Sequence, residues 1–154
     1  MIELNANIKE ALLEINFTER YKSLSERYDS ERTSNSKRLI YIDGEEVLEI
    51  LQELGYASIF DEKEKFFKIM EEEQKNYSFG ANVILQDGMV DMVWVIKEKG
   101  KVILGSPLGT YSRRISKDSS RIKKPIFGTY EDLEEILRTL FSMYEDMKKA
   151  LVKL

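Results

Sequence analysis

Carboxylates are the groups through which this chain could do chemistry. It has 28 Asp and Glu against 24 Lys and Arg, and neither histidine nor cysteine. Imidazole and thiol supply most general bases that work near neutral pH, most activated nucleophiles and most zinc, copper and iron ligands. Without them the routes to catalysis narrow to acids that hold a hard cation and to serine activated by a buried lysine. Asp87 and Asp91 flank a turn and have the chemistry to hold a divalent ion. Asp87 in Asp-Gly is also what a tight turn requires, and a strand Asp normally faces water. The triplets Asp61-Glu62-Lys63 and Glu73-Gln74-Lys75 have the acid-x-Lys form of a metal nuclease, but a chain this rich in Glu and Lys produces such triplets by chance. Gly105-Ser106-Pro107-Leu108-Gly109-Thr110 lacks the Gly-Lys-Ser/Thr ending of a phosphate loop and is not expected to lead into a helix. No serine is visibly set beside a buried lysine. The expectation is a protein that is not an enzyme and carries no cofactor or metal.

Binding is the alternative, and charge is where it would be read. Residues 1–80 hold 18 acids and 11 bases, residues 81–128 hold 4 acids and 9 bases, and the whole chain has a net charge of −4. An acidic half therefore meets a basic region, an asymmetry that can mark a binding face. The acidic candidates are Asp61, Glu62, Glu64, Glu71, Glu72 and Glu73. They would steer a basic partner and mask it, or form the wet face of an amphipathic helix. The basic candidates are Arg113, Arg114, Lys117, Arg121, Lys123 and Lys124, with Tyr111 and Phe127 at the edges. Guanidinium groups bind phosphate bidentately and aromatics stack on bases, but a solvated loop has the same composition and no nucleic-acid module accompanies it. Direct nucleic-acid binding is not expected. Trp94, between Val93 and Val95, reads as a core or sheet-face residue, with a partner hot spot as the sharper option.

The elements that must position these groups follow from periodicity. Ile2–Leu13 carries Leu4, Ile8, Leu12 and Ile15 at helical spacing. Phe17, Tyr21, Leu24 and Tyr28 form a second stripe, which Thr18 could cap, with a kink near Asn16. Asp29–Lys37 reads as an exposed connection and Arg38–Ile42 as a short strand turned by Asp43-Gly44. Val47, Leu48, Leu51 and Leu54 form a third helix closed by Gly55. Asp61 would cap a fourth, through Lys75. Its apolar residues Phe66, Phe67, Ile69 and Met70 would also suit a strand, and the run Glu71-Glu72-Glu73-Gln74-Lys75 tips the reading to helix.

Ala81–Leu85 and Val90–Ile96 then form a hairpin about Asp87-Gly88, since both central positions of a type I′ turn need positive φ. A turn at Lys97–Lys101 leads to Val102–Leu104. Tyr111–Ile115 and Ile122–Phe127 complete the expected strands, separated by a polar loop, Ser116–Arg121. Thr129 and Asp132 approximate a capping box for a last helix, whose stripe is Leu133, Ile136, Leu137, Leu140, Tyr144, Met147 and Leu151. Acids at its start and lysines at its end suit the helix dipole. The fold class expected is α+β: one domain over 1–154, with helix-rich residues 1–80 and an antiparallel β-meander of four or five strands in 81–128. The long C-terminal helix of 129–154 packs on the sheet.

At 154 residues, 42% of them hydrophobic, the chain can bury a globular core. The N-terminus Met1-Ile2-Glu3-Leu4-Asn5 has no basic leader, no apolar run reaches the length of a membrane helix, and no cysteine is present. A cytoplasmic protein is expected, with no membrane partner.

One family likeness attaches to particular residues. Val83–Leu104 with its two tight turns leads through Tyr111-Ser112-Arg113-Arg114 and Pro125-Ile126-Phe127-Gly128 into Thr129-Tyr130-Glu131-Asp132-Leu133. This layout resembles the small immunity proteins of bacterial polymorphic-toxin and contact-dependent inhibition systems, best over residues 80–152. The resemblance implies a protein that binds and silences a toxin domain, commonly a nuclease, without catalytic residues of its own. The expected mechanism is stoichiometric occlusion by an acidic surface, with Asp61, Glu62, Glu71, Glu72 and Glu73 as its residues. Arg113, Arg114, Lys123 and Lys124 are the secondary, basic candidates. The competing expectations are a secretion or assembly chaperone, acting as an acidic homodimer around an unfolded client, and a carboxylate-metal nuclease.

Overall fold

A computed structural model describes residues 3–154. The fold is α+β. Three helices, α1 (Ala6–Glu14), α2 (Phe17–Arg27) and α3 (Gly44–Glu53), precede a sheet of β1 (Ser58–Asp61), β2 (Phe66–Gln74), β3 (Tyr77–Gln86), β4 (Met89–Glu98) and β5 (Lys101–Leu104). A short helix α4 (Tyr111–Ile115) and a long one, α5 (Tyr130–Lys153), follow. The strands run in sequence order, every neighbour antiparallel. No helix among the described residues is long and apolar enough to cross a membrane.

Local chemistry explains the elements that match expectation. Asn16, at φ 56°, breaks the chain between α1 and α2. That left-handed residue starts α2 without a side-chain cap, so Thr18 lies inside the helix and does not cap it. The expected first residue of α1, Ile2, lies outside the described residues; within them Asn5 caps the helix, accepting from the Asn7 and Ile8 amides. Gly55, at φ 98°, ends α3. Asp87 and Gly88, at φ 55° and 72°, make the β3–β4 turn. Thr129 caps α5 through the Asp132 amide at 3.0 Å, and the Asp132 carboxylate in turn accepts from Gly128.

Four expected elements are corrected. Residues 61–75 are not a helix. The Asp61 carboxylate accepts from the Lys63 and Glu64 amides and closes a turn, and Lys65 takes a positive φ. Beyond it Phe67 and Ile69 alternate with Lys68 and Met70, and that period of two decides the outcome. Phe67 pairs with Val83 and Ile69 with Ala81, so the apolar face joins the core. The glutamates continue the strand because Glu72 and Glu73 pair with Phe79 and Ser78. β3 accordingly begins at Tyr77, before the expected Ala81.

Tyr111–Ile115 is helix α4, not a strand. Tyr111 and Ile115, four apart, share a helical face, and Tyr111 is wholly buried. Ile122–Phe127 is extended but not a strand. Ile126 bridges Met89, and Pro125 accepts from Val90 but has no N–H to continue a ladder. Arg38–Ile42 likewise forms no strand; its Leu39 amide donates to Phe127, and Tyr41 is exposed.

The core centres on Trp94. Its ring contacts Phe17 of α2, Tyr111 of α4 and Tyr144 of α5, with centroids 5.6, 5.7 and 5.9 Å away. Trp94 is therefore a core residue and cannot reach a partner. Buried side chains from all five helices join one cluster with Phe67, Phe79, Val83, Met92 and Ile96 of the sheet. The residues between them, among them Lys68, Met70, Asn82, Val93, Val95 and Lys97, point to the opposite face and stay half-buried or exposed.

Candidate functional site

The best-defined charged site is a hollow of about 550 Å³ where β2 passes α5. Its construction starts from the end of α3. Gly55 turns the chain, so Tyr56 stacks on Phe141 of α5 with centroids 4.0 Å apart. The Tyr56 hydroxyl then donates to Glu145 at 2.6 Å. The opposite wall is β2, where register shifts between Ile69 and Glu72. Such a bulge adds a residue and re-aims side chains. Here it sends Glu71 to the outer face, where it accepts from Lys97 at 3.1 Å and from Ser78. Glu72 points the other way, to Lys148.

Lys148 sits at the bottom. It is 4% exposed, and its ammonium donates to Glu72, reaches Glu145 at 3.0 Å and lies 4.6 Å from the centre of the Tyr144 ring. A buried ammonium is tolerated only with such partners. Two carboxylates, those of Glu72 and Glu145, face this one lysine, and Glu71 lines the hollow with its own carboxylate paired to Lys97. Their field is felt by the tyrosines. Burial first, then Glu145, Glu72 and Glu71, pushes the Tyr144 hydroxyl well above the usual phenol range. Tyr56 moves the same way, through burial and its bond to Glu145. The Lys148 bond holds the Glu72 carboxyl below its ordinary value against the opposing effect of burial, and the Lys97 bond does the same for Glu71. Both tyrosines stay protonated at neutral pH, and the glutamates stay ionised.

Met70 is the large exposed apolar residue that lines the hollow, and two more lie on the neighbouring edge strand. Met70 is 60% exposed and Ile59 58%, and both lie on the outer face. Phe60 of the edge strand β1 is 40% exposed against Phe67.

Of the five acidic residues expected to act together, the structure brings two to this hollow, Glu71 and Glu72. Glu73 is exposed one residue further along β2. Asp61 and Glu62 lie at the far end of β2, where Asp61 is occupied in its own turn. The basic candidates also divide. Arg113, Arg114 and Lys117 line one hollow with Lys9, and Arg114 donates to Ser106 at 2.6 Å. Arg121, Lys123 and Lys124 line another. Tyr111 and Phe127 are buried and are not stacking surfaces. Asp91 pairs with Lys124 at 3.7 Å, while Asp87 stays exposed in its turn. Sequence reasoning missed Tyr56, Tyr144 as a polar group, Glu145 and Lys148. One signal was present: Lys148 falls four residues after Tyr144 on the apolar stripe of α5, where a charge demands a buried partner.

The described residues contain no group of three or more acids placed to hold a metal ion. In the hollow, the Lys148 ammonium takes the position between Glu72 and Glu145 that a cation would need. No protein-family model matches the chain, and no curated protein or solved structure is significantly similar to it.

Proposed function

We propose that this chain is a non-enzymatic binding protein that receives a basic segment of a protein partner on the β1–β2 edge and the hollow behind it. The observation that carries the reading is the pairing of an acidic hollow with the exposed Met70 at its edge, beside the edge strand β1. Glu72 and Glu145 outnumber Lys148, Glu71 lies at the edge paired with Lys97, and the exposed Met70 lines the same hollow. A Lys or Arg side chain arriving at the hollow shares Glu72 and Glu145 with Lys148, which already lies between them, while its neighbours bury Met70. Steering by like-signed charge over the N-terminal half adds to the rate of encounter.

In its most concrete form the partner is a toxin domain with a basic substrate-binding surface, and this chain is its immunity protein. Occlusion then requires no chemistry from the inhibitor. The resemblance of residues 80–152 to such proteins supports this form, as does the acidic excess.

The experiment is growth of cells expressing the product of the adjacent gene, with and without this chain, together with co-purification. The expected result is rescue and a one-to-one complex, both lost in the double variant Met70→Lys, Glu71→Lys, whose melting temperature stays near that of the parent. An adjacent product that is harmless and fails to bind, or binding untouched in the double variant, overturns the reading.

A further inference from the structure

A second hollow, of about 760 Å³, lies on the other side of the molecule between the end of α2 and the segment 121–126. That volume suits a small ligand. Its charges come from separate stretches of chain. Glu26, Asp29 and Glu31, from the end of α2 and the loop after it, form the acidic wall. Arg38, Arg121 and Lys123 come from the later segments that line the same hollow. Two charged groups in the hollow are already used. The Asp29 carboxylate accepts from the Glu31 and Arg32 amides, and Lys124 pairs with Asp91. Among the described residues, Arg38, Arg121 and Lys123 form no salt bridge, and neither do Glu26 and Glu31. Unpaired charges of both signs thus line the same hollow.

Arg38 is the most telling of them. Its Nε is buried and has no hydrogen-bond partner. Leaving such a donor unsatisfied is unfavourable, and an acceptor brought to it by a ligand would offset that cost. Arg38 is also held in place. The next residue, Leu39, donates to Phe127, and the Arg38 stem lies over Gly88, where a β-carbon would come within 2.6 Å of the Arg38 Cβ. The facing segment is equally fixed: Ile126 donates to Tyr28, and Pro125 accepts from Val90. The backbone on both sides of the groove is thus fixed, and Glu26, Glu31, Arg121 and Lys123 are its exposed side chains.

We infer that this groove binds a small organic phosphate, a phosphomonoester whose dianion sits among Arg38, Arg121 and Lys123 and whose hydroxyl or amino donors face Glu26 and Glu31. A doubly charged, multidentate oxyanion answers three uncommitted cations better than a single carboxylate. The acidic wall disfavours a bare anion and favours one with hydrogen-bond donors at its other end. It also disfavours a nucleic-acid strand, whose further phosphates would have to pass Glu26, Asp29 and Glu31. Met89, Ile122 and Ile126 provide an apolar floor for the body of the ligand.

The test is calorimetry and thermal melting of the full chain with AMP, ribose 5-phosphate, adenosine, inorganic phosphate and succinate. AMP or ribose 5-phosphate is expected to bind and to raise the melting temperature, and adenosine is not. Arg38→Gln and Lys123→Gln should each weaken binding by about tenfold or more, as loss of a charge-assisted contact predicts. Lys123 lies on the exposed rim, so its variant keeps the test valid if Arg38→Gln fails to fold. No binding by either organic phosphate, undiminished affinity in both variants, or equal affinity for adenosine, succinate or inorganic phosphate would overturn the assignment.

Discussion

The Lys148 ammonium of α5 donates to the Glu72 carboxylate of β2, 76 residues away in sequence, and so ties the last helix to the strand beside the bulge. The pair is unequal. The lysine side chain is 6% exposed and the glutamate side chain 50%. The lysine therefore depends on the contact far more than the glutamate does.

That inequality predicts different outcomes for two substitutions at one position. Lys148→Ala leaves a cavity in the base of the hollow and should cost about 2–3 kcal/mol. Lys148→Met fills the same space without a charge and frees Glu72 and Glu145 to hydrate, so it should lie within about 1 kcal/mol of the parent. Urea denaturation of the three proteins checks this; equal losses for both variants would refute it.

Glu72→Gln should destabilise by about 1 kcal/mol at neutral pH, a charge-assisted bond discounted for a half-exposed carboxylate, with Glu145 still holding Lys148. The effect has a pH window. In the folded protein the Glu72 carboxyl titrates below its ordinary value of 4.5. The stabilisation is therefore fully present well above pH 4.5 and is lost as pH falls through the lower folded value. Melting curves of parent and variant should converge in that acidic range. A constant offset down to the lowest pH at which both fold would contradict the pairing.

Trp94 is surrounded by three aromatic rings from three different helices. Trp94→Ala should cost about 3–5 kcal/mol, and Trp94→Phe should cost less. The denaturation midpoints measure the order, and near-UV circular dichroism should report loss of the aromatic cluster in the alanine variant.

Gly88 combines a φ of 72° with close approach of the Arg38 stem. Gly88→Ala meets both problems and should lose about 1–2 kcal/mol. Gly100→Ala has a φ of 82° and open space around it, so it reports the backbone strain alone. The difference between the two losses measures how firmly Arg38 is held against the turn.

Much of the fold was legible because its determinants are local. The cap Thr129, the stripe from Leu133 to Leu151, the end of α3 at Gly55 and the Asp87-Gly88 turn each lie within a few residues of what they control. The absence of histidine and cysteine and the acidic balance of the N-terminal half are also properties of the chain alone.

Tertiary structure decided the rest. Phe66–Gln74 contains residues that suit a helix and residues that suit a strand, and pairing with β3 resolved the choice. Tyr111–Ile115 looked extended until Tyr111 was packed between Phe17 and Trp94. The acidic candidates were neighbours in sequence, but alternation along β2 sent Glu71 and Glu72 to opposite faces and left Asp61 at the other end. Lys148, Glu145 and Tyr56 joined the site, and Arg38 came to face Lys123, only because separate segments met in space. Period, caps and turns act over one or two turns of chain, whereas a buried charge finds its partner only after the core has brought distant segments together.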